Sequence, residues 1–598
     1  MSADRATASP PRSASPTAPT VPLRPVRAWL SRPERERANI LHGISLALAL
    51  PLLLWIDRHQ WFSGDEWDFL LRRGVLGHAE LGLFEPHNEH WSTFPILVYR
   101  ALFSVFGVRT YFPWLLVLVV AHLVVAHLLW RVMLRCQVDW LVATASAAVF
   151  MVLGAGWEDL INAFQLTFIV SLALGLFAVL LSAPQGPFER RDAWASGVVV
   201  VSLFFSGVGL TMTVVLGVTA LLRRGWKVAG LIVAAPVGAY LVWYAGWGRH
   251  ASSVEQEPLR TSLQKAPEFV WHGLVSAVDA FTGLDGVAPV LLVLLTLWVV
   301  RTARPANEPW PPILALLVGA PLFLFLIDVR RSGLGIGAAA APRYSYAVVA
   351  LLLPAAALAV SAVLRRTPMR VPLVVAATAL LVVVGVSTLN DQARTYGSIK
   401  QENKHRIVAA ADLLRSDAVV ISNTPTPEFN PELTTDRLRT LARDGELPGN
   451  VQVTEEDRLT AADFLQVTVS PDAASATTAE GTVEGAEGAR VAPTASGGCV
   501  VVTPNSDAPS VSLSFAQPGF VKVTTSRSGS LTTQVELPPP DTGTRGRGRT
   551  WSATGDVPQA LSVSATNRGL RLGIPPIGTT RLCHVGATTS DQESTGTG

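Results

Sequence analysis

Residues 160–188 read LINAFQLTFIVSLALGLFAVLLSAPQGPF, 29 residues without one Asp, Glu, Lys or Arg. A hydrocarbon core about 30 Å thick is crossed by roughly 20 apolar helical residues, and this stretch offers no continuous polar face to water. Nine more charge-free stretches lie around it, at 38–56, 110–130, 141–157, 193–222, 228–248, 286–300, 311–327, 345–364 and 371–390. One such run fits a soluble core helix; ten within about 350 residues do not. The deficit shows in the whole chain, where 49% of 598 residues are hydrophobic and 16% charged, against roughly 25% charged in a soluble domain. The sequence therefore describes a polytopic α-helical membrane protein.

The two ends are of other material. Residues 1–37 are rich in Pro, Ser, Thr and Ala, with seven arginines, and read as a disordered cytoplasmic tail. Their length and the lack of a small-residue cleavage site argue against a signal peptide. After residue 390 the tryptophans almost vanish: sixteen of seventeen precede it. The net charge of +3 is too small for a nucleic-acid binder, and three cysteines exclude a four-thiolate zinc site and a dense disulfide scaffold.

Lys and Arg are retained on the cytoplasmic side of a membrane protein. Five basic clusters test the span count: Arg131/Arg135, Arg190/Arg191, Arg223/Arg224/Lys227, Arg301/Arg304 and Arg365/Arg366/Arg370. All five fall on one side only if 193–222 is crossed twice, as a hairpin of two short helices turning near Ser206–Gly209. About eleven spans are then expected over 38–390 of an inner, cytoplasmic membrane, with the N-terminus cytoplasmic and residues 391–598 extracytoplasmic.

The outer loops hold the chemistry. The first, 57–109, carries four of the eleven histidines and seven carboxylates, including Asp65, Glu66 and Asp68, then His87, Asn88, Glu89 and His90. A following apolar segment, 94–106, is too short to span and reads as an interfacial helix with Tyr99 and Arg100 near the headgroups. Carboxylates beside an apolar surface suit general-base work; with neutral histidine they also suit a divalent cation such as Mg or Mn. Capping and solvation are the plainer uses of such residues.

At these residues the sequence resembles the GT-C superfamily of membrane glycosyltransferases, which have eleven to thirteen spans and an acidic pair soon after the first. Asp65-Glu66 matches that pair, and 87–95 leads into a second juxtamembrane helix; the family's Pro-Pro segment is replaced by Ser-Thr-Phe-Pro. The resemblance covers about 38–390. It implies transfer of a sugar from a polyprenyl-phosphate carrier to a cell-envelope glycan, lipid or protein acceptor, with inversion, and with Asp65 as catalytic carboxylate and Glu66 and Asp68 as alternates. Glu158, Asp159 and Gln165 are further substrate-binding candidates, although acidic residues also favour a helix start. Arg330, Arg331, Arg343 and Tyr344 stand on the outer side against the usual bias, where a guanidinium binds phosphate in bidentate fashion; Arg343-Tyr344 matches an Arg-Tyr common in the family. The rival expectation is a non-enzymatic transporter or envelope assembly scaffold handling lipid-linked glycans. Nearly charge-free spans and the lack of an internal repeat count against a transporter.

Beyond the spans, 391–470 reads as helical or mixed, 471–498 as a linker, 499–586 as seven alternating strands of a β-sandwich, and 587–598 as a disordered tail. Cys499 and Cys583, in the first and last of those strands, are expected to pair in an oxidising compartment.

Overall fold

A computed structural model describes residues 32–74, 79–251, 257–365, 367–416, 418–470, 481–495, 497–537, 544–564 and 568–587. Of the tails expected at 1–37 and 587–598, residues 1–31 and 588–598 lie outside them, as does Arg366 of the last basic cluster. In chain order the helices are α1 Glu34–Ile56, α2 Asp65–Leu71, α3 Thr93–Phe106, α4 Phe112–Arg135, α5 Trp140–Met151, α6 Trp157–Ile161, α7 Leu166–Leu181, α8 Arg190–Leu203 and α9 Val208–Arg224. They continue with α10 Trp226–Gly246, α11 Leu259–Thr282, α12 Ala288–Thr302, α13 Trp310–Arg331, α14 Pro342–Leu364, α15 Arg370–Arg415, α16 Thr435–Arg443 and α17 Glu455–Leu465.

Among the described residues, eight helical segments are long and apolar enough to cross a membrane: Glu34–Ile56, Phe112–Arg135, Trp140–Ile161, Ala163–Leu181, Trp226–Gly246, Trp310–Arg331, Pro342–Leu364 and Arg370–Arg415. The expected eleven is thereby corrected to eight. The shortfall has a physical reason: a charge-free run need not be one long helix. Residues 193–222 break at 204–207 into α8, of 14 residues, and α9, of 17. α12 has only 15 residues. Each is shorter than a full crossing at 1.5 Å per residue.

Ion pairs and hydrogen bonds gather the basic segments at one end of the bundle. Arg224 binds the buried Asp192 carboxylate at 2.7 Å; Arg223 reaches Glu308 at 2.6 Å and Ser182 at 3.3 Å. Arg135 donates to the Leu180 carbonyl at 2.5 Å, Arg365 to the Gln137 carbonyl at 2.6 Å, and Arg370 lies 3.4 Å from Asp139. The first long loop, the α6 turn and the α13–α14 connection meet at the opposite end, called the loop end below. α8 starts at the basic end and finishes with Leu203 and Phe204 beside Trp91, so this helix, though short, runs between the two ends.

α15, of 46 residues, leaves the bundle and carries the chain into a β-rich C-terminal region. Among the described residues twelve strands follow: β1 Val467–Ser470, β2 Gly481–Glu487, β3 Ala489–Pro493, β4 Cys499–Pro504, β5 Ser510–Phe515, β6 Gly519–Thr525, β7 Gly529–Glu536, β8 Arg549–Ala553, β9 Gln559–Val563, β10 Arg568–Gly573, β11 Thr580–Cys583 and β12 Val585–Ala587. They form two open six-stranded sheets, ordered β1-β9-β6-β11-β4-β3 and β12-β2-β5-β10-β7-β8, whose outer strands are unpaired on one side. The open sheets overturn the expected β-sandwich of seven strands. The pairing starts before residue 499, because β1 (Val467–Ser470) lies against β9 (Gln559–Val563). Two strands, Gly481–Glu487 and Ala489–Pro493, lie inside the 471–498 stretch expected as a linker, of which 471–480 and 496 are outside the described residues. Cys499 and Cys583 are joined by a disulfide, as directly opposed residues of β4 and β11 within one sheet.

Candidate functional site

The first loop begins with a turn that only glycine adopts easily. Gly64 has φ 57°, in the left-handed region, and caps α2. Asp65, Glu66 and Asp68 fill the first helical turn, where carboxylates face the positive end of the helix dipole. Residues three apart share a helix face, so Asp65 and Asp68 point one way and Glu66 another.

Glu66 turns inward. Its Oε1 accepts hydrogen bonds from the Tyr99 and Tyr111 hydroxyls, both at 2.7 Å, and its Oε2 from the Ser63 amide at 3.0 Å. It is fully buried, and burial raises its pKa despite these donors. Tyr99, expected near the headgroups, is buried as a partner of Glu66.

Asp65 and Asp68 meet across His87. His87 Nδ1 lies 2.9 Å from Asp68 Oδ2, and Nε2 lies 3.5 Å from Asp65 Oδ2. The Asp65 side chain is 55% exposed, whereas those of His87 and Asp68 are each 7% exposed. Burial alone would favour a neutral His87, but hydrogen bonds to the two carboxylates reverse this and raise it to about 9. Burial likewise works against the charges of Asp65 and Asp68, and the His87 hydrogen bond and charge hold both below the usual carboxylate range. The outcome is a charged, exposed carboxylate fixed by a buried imidazolium.

The strand of loop carrying His87 is organised by Arg73, for which the sequence reading found no role. Its guanidinium is wholly buried and donates to the carbonyls of Gly82 (2.8 Å), Glu85 (3.0 Å) and Pro86 (2.9 Å), 3.6 Å from Asp68. The only sequence signal for it was an arginine immediately after the acidic helix. Next comes a tight turn in which the His87 and His90 backbones exchange hydrogen bonds of 3.0 and 2.9 Å. Asn88 takes the left-handed position, φ 52°, that asparagine tolerates better than most residues. The turn sends Glu89 and His90 toward α13 and α9.

Glu89 Oε1 receives Arg331 Nε at 2.5 Å, and Arg331 Nη1 also donates to the Tyr344 hydroxyl at 3.2 Å. Burial opposes the Glu89 charge, but His90 and Arg331 more than offset it, so that its pKa falls to about 2. His90 Nε2 stands 3.4 Å from Glu89 Oε1, and burial pushes the His90 imidazole down to about 4, leaving it neutral. A side chain at Gly207 would meet the His90 ring at 3.1 Å, which fixes the ring against the break between α8 and α9.

Beside this turn lies a cavity of about 140 Å³, lined by His90, Trp91, Phe168, Tyr240, Phe323 and Arg330 among others. Its lining is mostly apolar, with Glu89, His90, Ser206, Thr211, Tyr240 and Arg330 as the polar exceptions. Trp91 stacks parallel to Trp243 at 5.3 Å and packs on Phe204, closing one wall. The arginines of the α13–α14 connection differ in how they are used. Arg331 is taken by Glu89, and Arg343 by Glu158 at 2.7 Å with its guanidinium 5.1 Å from the Tyr344 ring. Arg330 lines the cavity and pairs with no carboxylate among the described residues.

The structure thus brings together Asp65, Asp68, His87, Glu89, His90, Arg331 and Tyr344, with Glu158–Arg343 adjoining through Tyr344. Asp159 and Gln165 are buried, and Glu66 lies on the inward face of α2. Among the described residues no group of three or more His, Cys, Asp or Glu side chains is arranged so that it could hold a metal ion. The carboxylates that a Mg or Mn ion would use face cations already: Asp65 and Asp68 face His87, and Glu89 faces Arg331. No family model matches the chain, and no curated protein matches it.

Proposed function

We propose that this protein transfers a sugar from a polyprenyl-phosphate donor to a hydroxyl-bearing cell-envelope acceptor, at a site on the extracytoplasmic side of the membrane. The observation that carries the reading is the half-exposed Asp65 carboxylate, held ionised by buried His87 at the mouth of a membrane bundle and near a mostly apolar cavity lined by Arg330, which has no carboxylate partner among the described residues. Such a cavity suits a ligand that is greasy along its length and anionic at its head. Arg330 takes the donor phosphate in this reading, since Arg331 and Arg343 are occupied. The GT-C resemblance of 38–390 points to the same chemistry.

In the reaction so read, the acceptor hydroxyl donates its proton to an Asp65 oxygen as its own oxygen bonds to the anomeric carbon. The bond from that carbon to the phosphate oxygen breaks on the opposite face, which inverts the anomeric centre and releases polyprenyl phosphate. His87 and Asp68 hold Asp65 in place and ionised, and Arg330 stabilises the charge that develops on the leaving phosphate. Sugar transfer from a panel of polyprenyl-phosphate donors tests this, comparing wild type with Asp65→Asn. The expected result is turnover of at least one donor by wild type, reduced at least about a hundredfold in the variant. Full activity in Asp65→Asn would remove Asp65 from its role. If no donor is turned over by wild type, the transferase reading fails and lipid-linked-glycan transport takes its place.

A further inference from the structure

The first loop is gripped at both ends by the C-terminal region, and the grip leads to Asp65. At the start of the loop, the Gly64 amide donates to the Phe429 carbonyl at 3.2 Å; Gly64 is the cap that aims α2. At its end, the Val108 amide donates to the Glu446 carbonyl at 3.1 Å, and Arg109 stands 3.4 Å from the Glu446 carboxylate. Gly107, φ 56°, sits so closely under Glu446 that a side chain there would strike it. Two left-handed glycines, one before α2 and one after α3, therefore dock on the same C-terminal segment.

A chain of charges makes a second connection. Asp65 leads to His87 (3.5 Å), His87 to Asp68 (2.9 Å), Asp68 to Arg72 (3.1 Å) and Arg72 to Glu80 (3.2 Å). Glu80 is in turn bound by Arg437 of α16, whose other guanidinium nitrogen donates to the Glu432 carbonyl at 2.7 Å. A single exposed ion pair contributes little, typically below about 1 kcal/mol. Here the chain ends on a buried Asp68 at one side and a backbone-anchored arginine at the other, so what it supplies is position.

We propose that the segment 426–446 is a positioning element of the site: Arg437, through Glu80 and Arg72, together with the Phe429 carbonyl, holds the Asp65–His87–Asp68 arrangement in register. None of these C-terminal groups is a catalytic residue; they act through the first loop. The C-terminal region would then couple its own contacts to the state of the site. That this coupling governs sugar transfer rests on the reading above; the coupling itself does not.

The test uses the full chain in lipid nanodiscs with isotope-labelled histidine. The His87 imidazole signal is assigned by its loss in His87→Asn and titrated in Arg437→Ala, Glu80→Gln, Arg437→Lys and Arg439→Ala. Among the described residues Arg439 pairs only with its neighbour Asp436 on the same helix, at 2.9 Å, and it serves as the control. Arg437→Ala and Glu80→Gln are expected to lower the His87 midpoint by about one unit, toward the ordinary histidine value. Arg437→Lys should largely restore it, and Arg439→Ala should leave it unmoved. Should Arg437→Ala not fold, Glu80→Gln carries the same test from the other side of the ion pair. An unchanged midpoint in the folded variants overturns the proposal whatever happens to transfer, as does an equal shift in Arg439→Ala. A shifted midpoint without any transfer by wild type upholds the clamp and removes the transferase reading.

Discussion

At the scale of single residues, position on a short helix separates three neighbouring acids that the sequence could only group. Asp65 and Asp68 share a face and meet at His87, whereas Glu66 points inward to two tyrosines. His87 gives a pH prediction whose sign follows from its raised pKa. A histidine whose folded pKa lies above its unfolded value of about 6.5 stabilises the fold fully below that value and loses the contribution as pH rises through about 9. The thermal midpoint of the membrane-embedded protein is therefore expected to fall between pH 7 and pH 10, and to fall less in His87→Asn. An equal fall in the variant would show that His87 is not the group responsible. The acids and histidines were legible as a cluster because charge in a charge-poor chain is conspicuous. Arg73 was not legible, since its role is to tie three backbone carbonyls that have no signature in sequence.

At the scale of elements, glycines and helix breaks carry the information. The turn anticipated near Ser206–Gly209 falls at 204–207, between α8 and α9, and it places Gly207 under the His90 ring. Hydropathy could mark such a break, yet the lengths of the resulting helices depend on how much of each is drawn into packing. Gly107 offers a direct check at this scale. An alanine there meets both an unfavourable left-handed backbone, which costs roughly 1–2 kcal/mol, and Glu446 across the loop. Gly107→Ala is expected to lower the thermal midpoint and to raise proteolytic cleavage of the first loop, whereas Gly43→Ala, with open space around it, should do neither. Unaltered cleavage in Gly107→Ala would show that the C-terminal segment does not seat on that glycine.

At the scale of the whole molecule, a membrane bundle and a β-rich region are joined by one 46-residue helix and by the docking of the first loop onto 426–446. The Cys499–Cys583 disulfide spans 84 residues within the β-rich region. Closure of a loop that long restrains the unfolded chain by roughly 4 kcal/mol in the chain-entropy view. Reduction, or Cys583→Ser, is expected to lower the unfolding midpoint of that region by calorimetry while the bundle's transition stays in place; a shift of both together would mean that the two unfold as one unit. The sequence alone determined that this is a polytopic helical membrane protein, because hydrocarbon tolerates only apolar stretches and charge must collect at the ends. It also determined which ends are basic and which loop is rich in acids, and it marked the two cysteines. Tertiary structure alone decided that, among the described residues, eight helical segments are long and apolar enough to cross a membrane, that twelve strands make two open sheets, and that the C-terminal region reaches back to the Asp65 turn. The reason is the same in each case: hydropathy is a property of residues taken singly, whereas helix length, strand pairing and loop docking depend on partners hundreds of residues away in the chain.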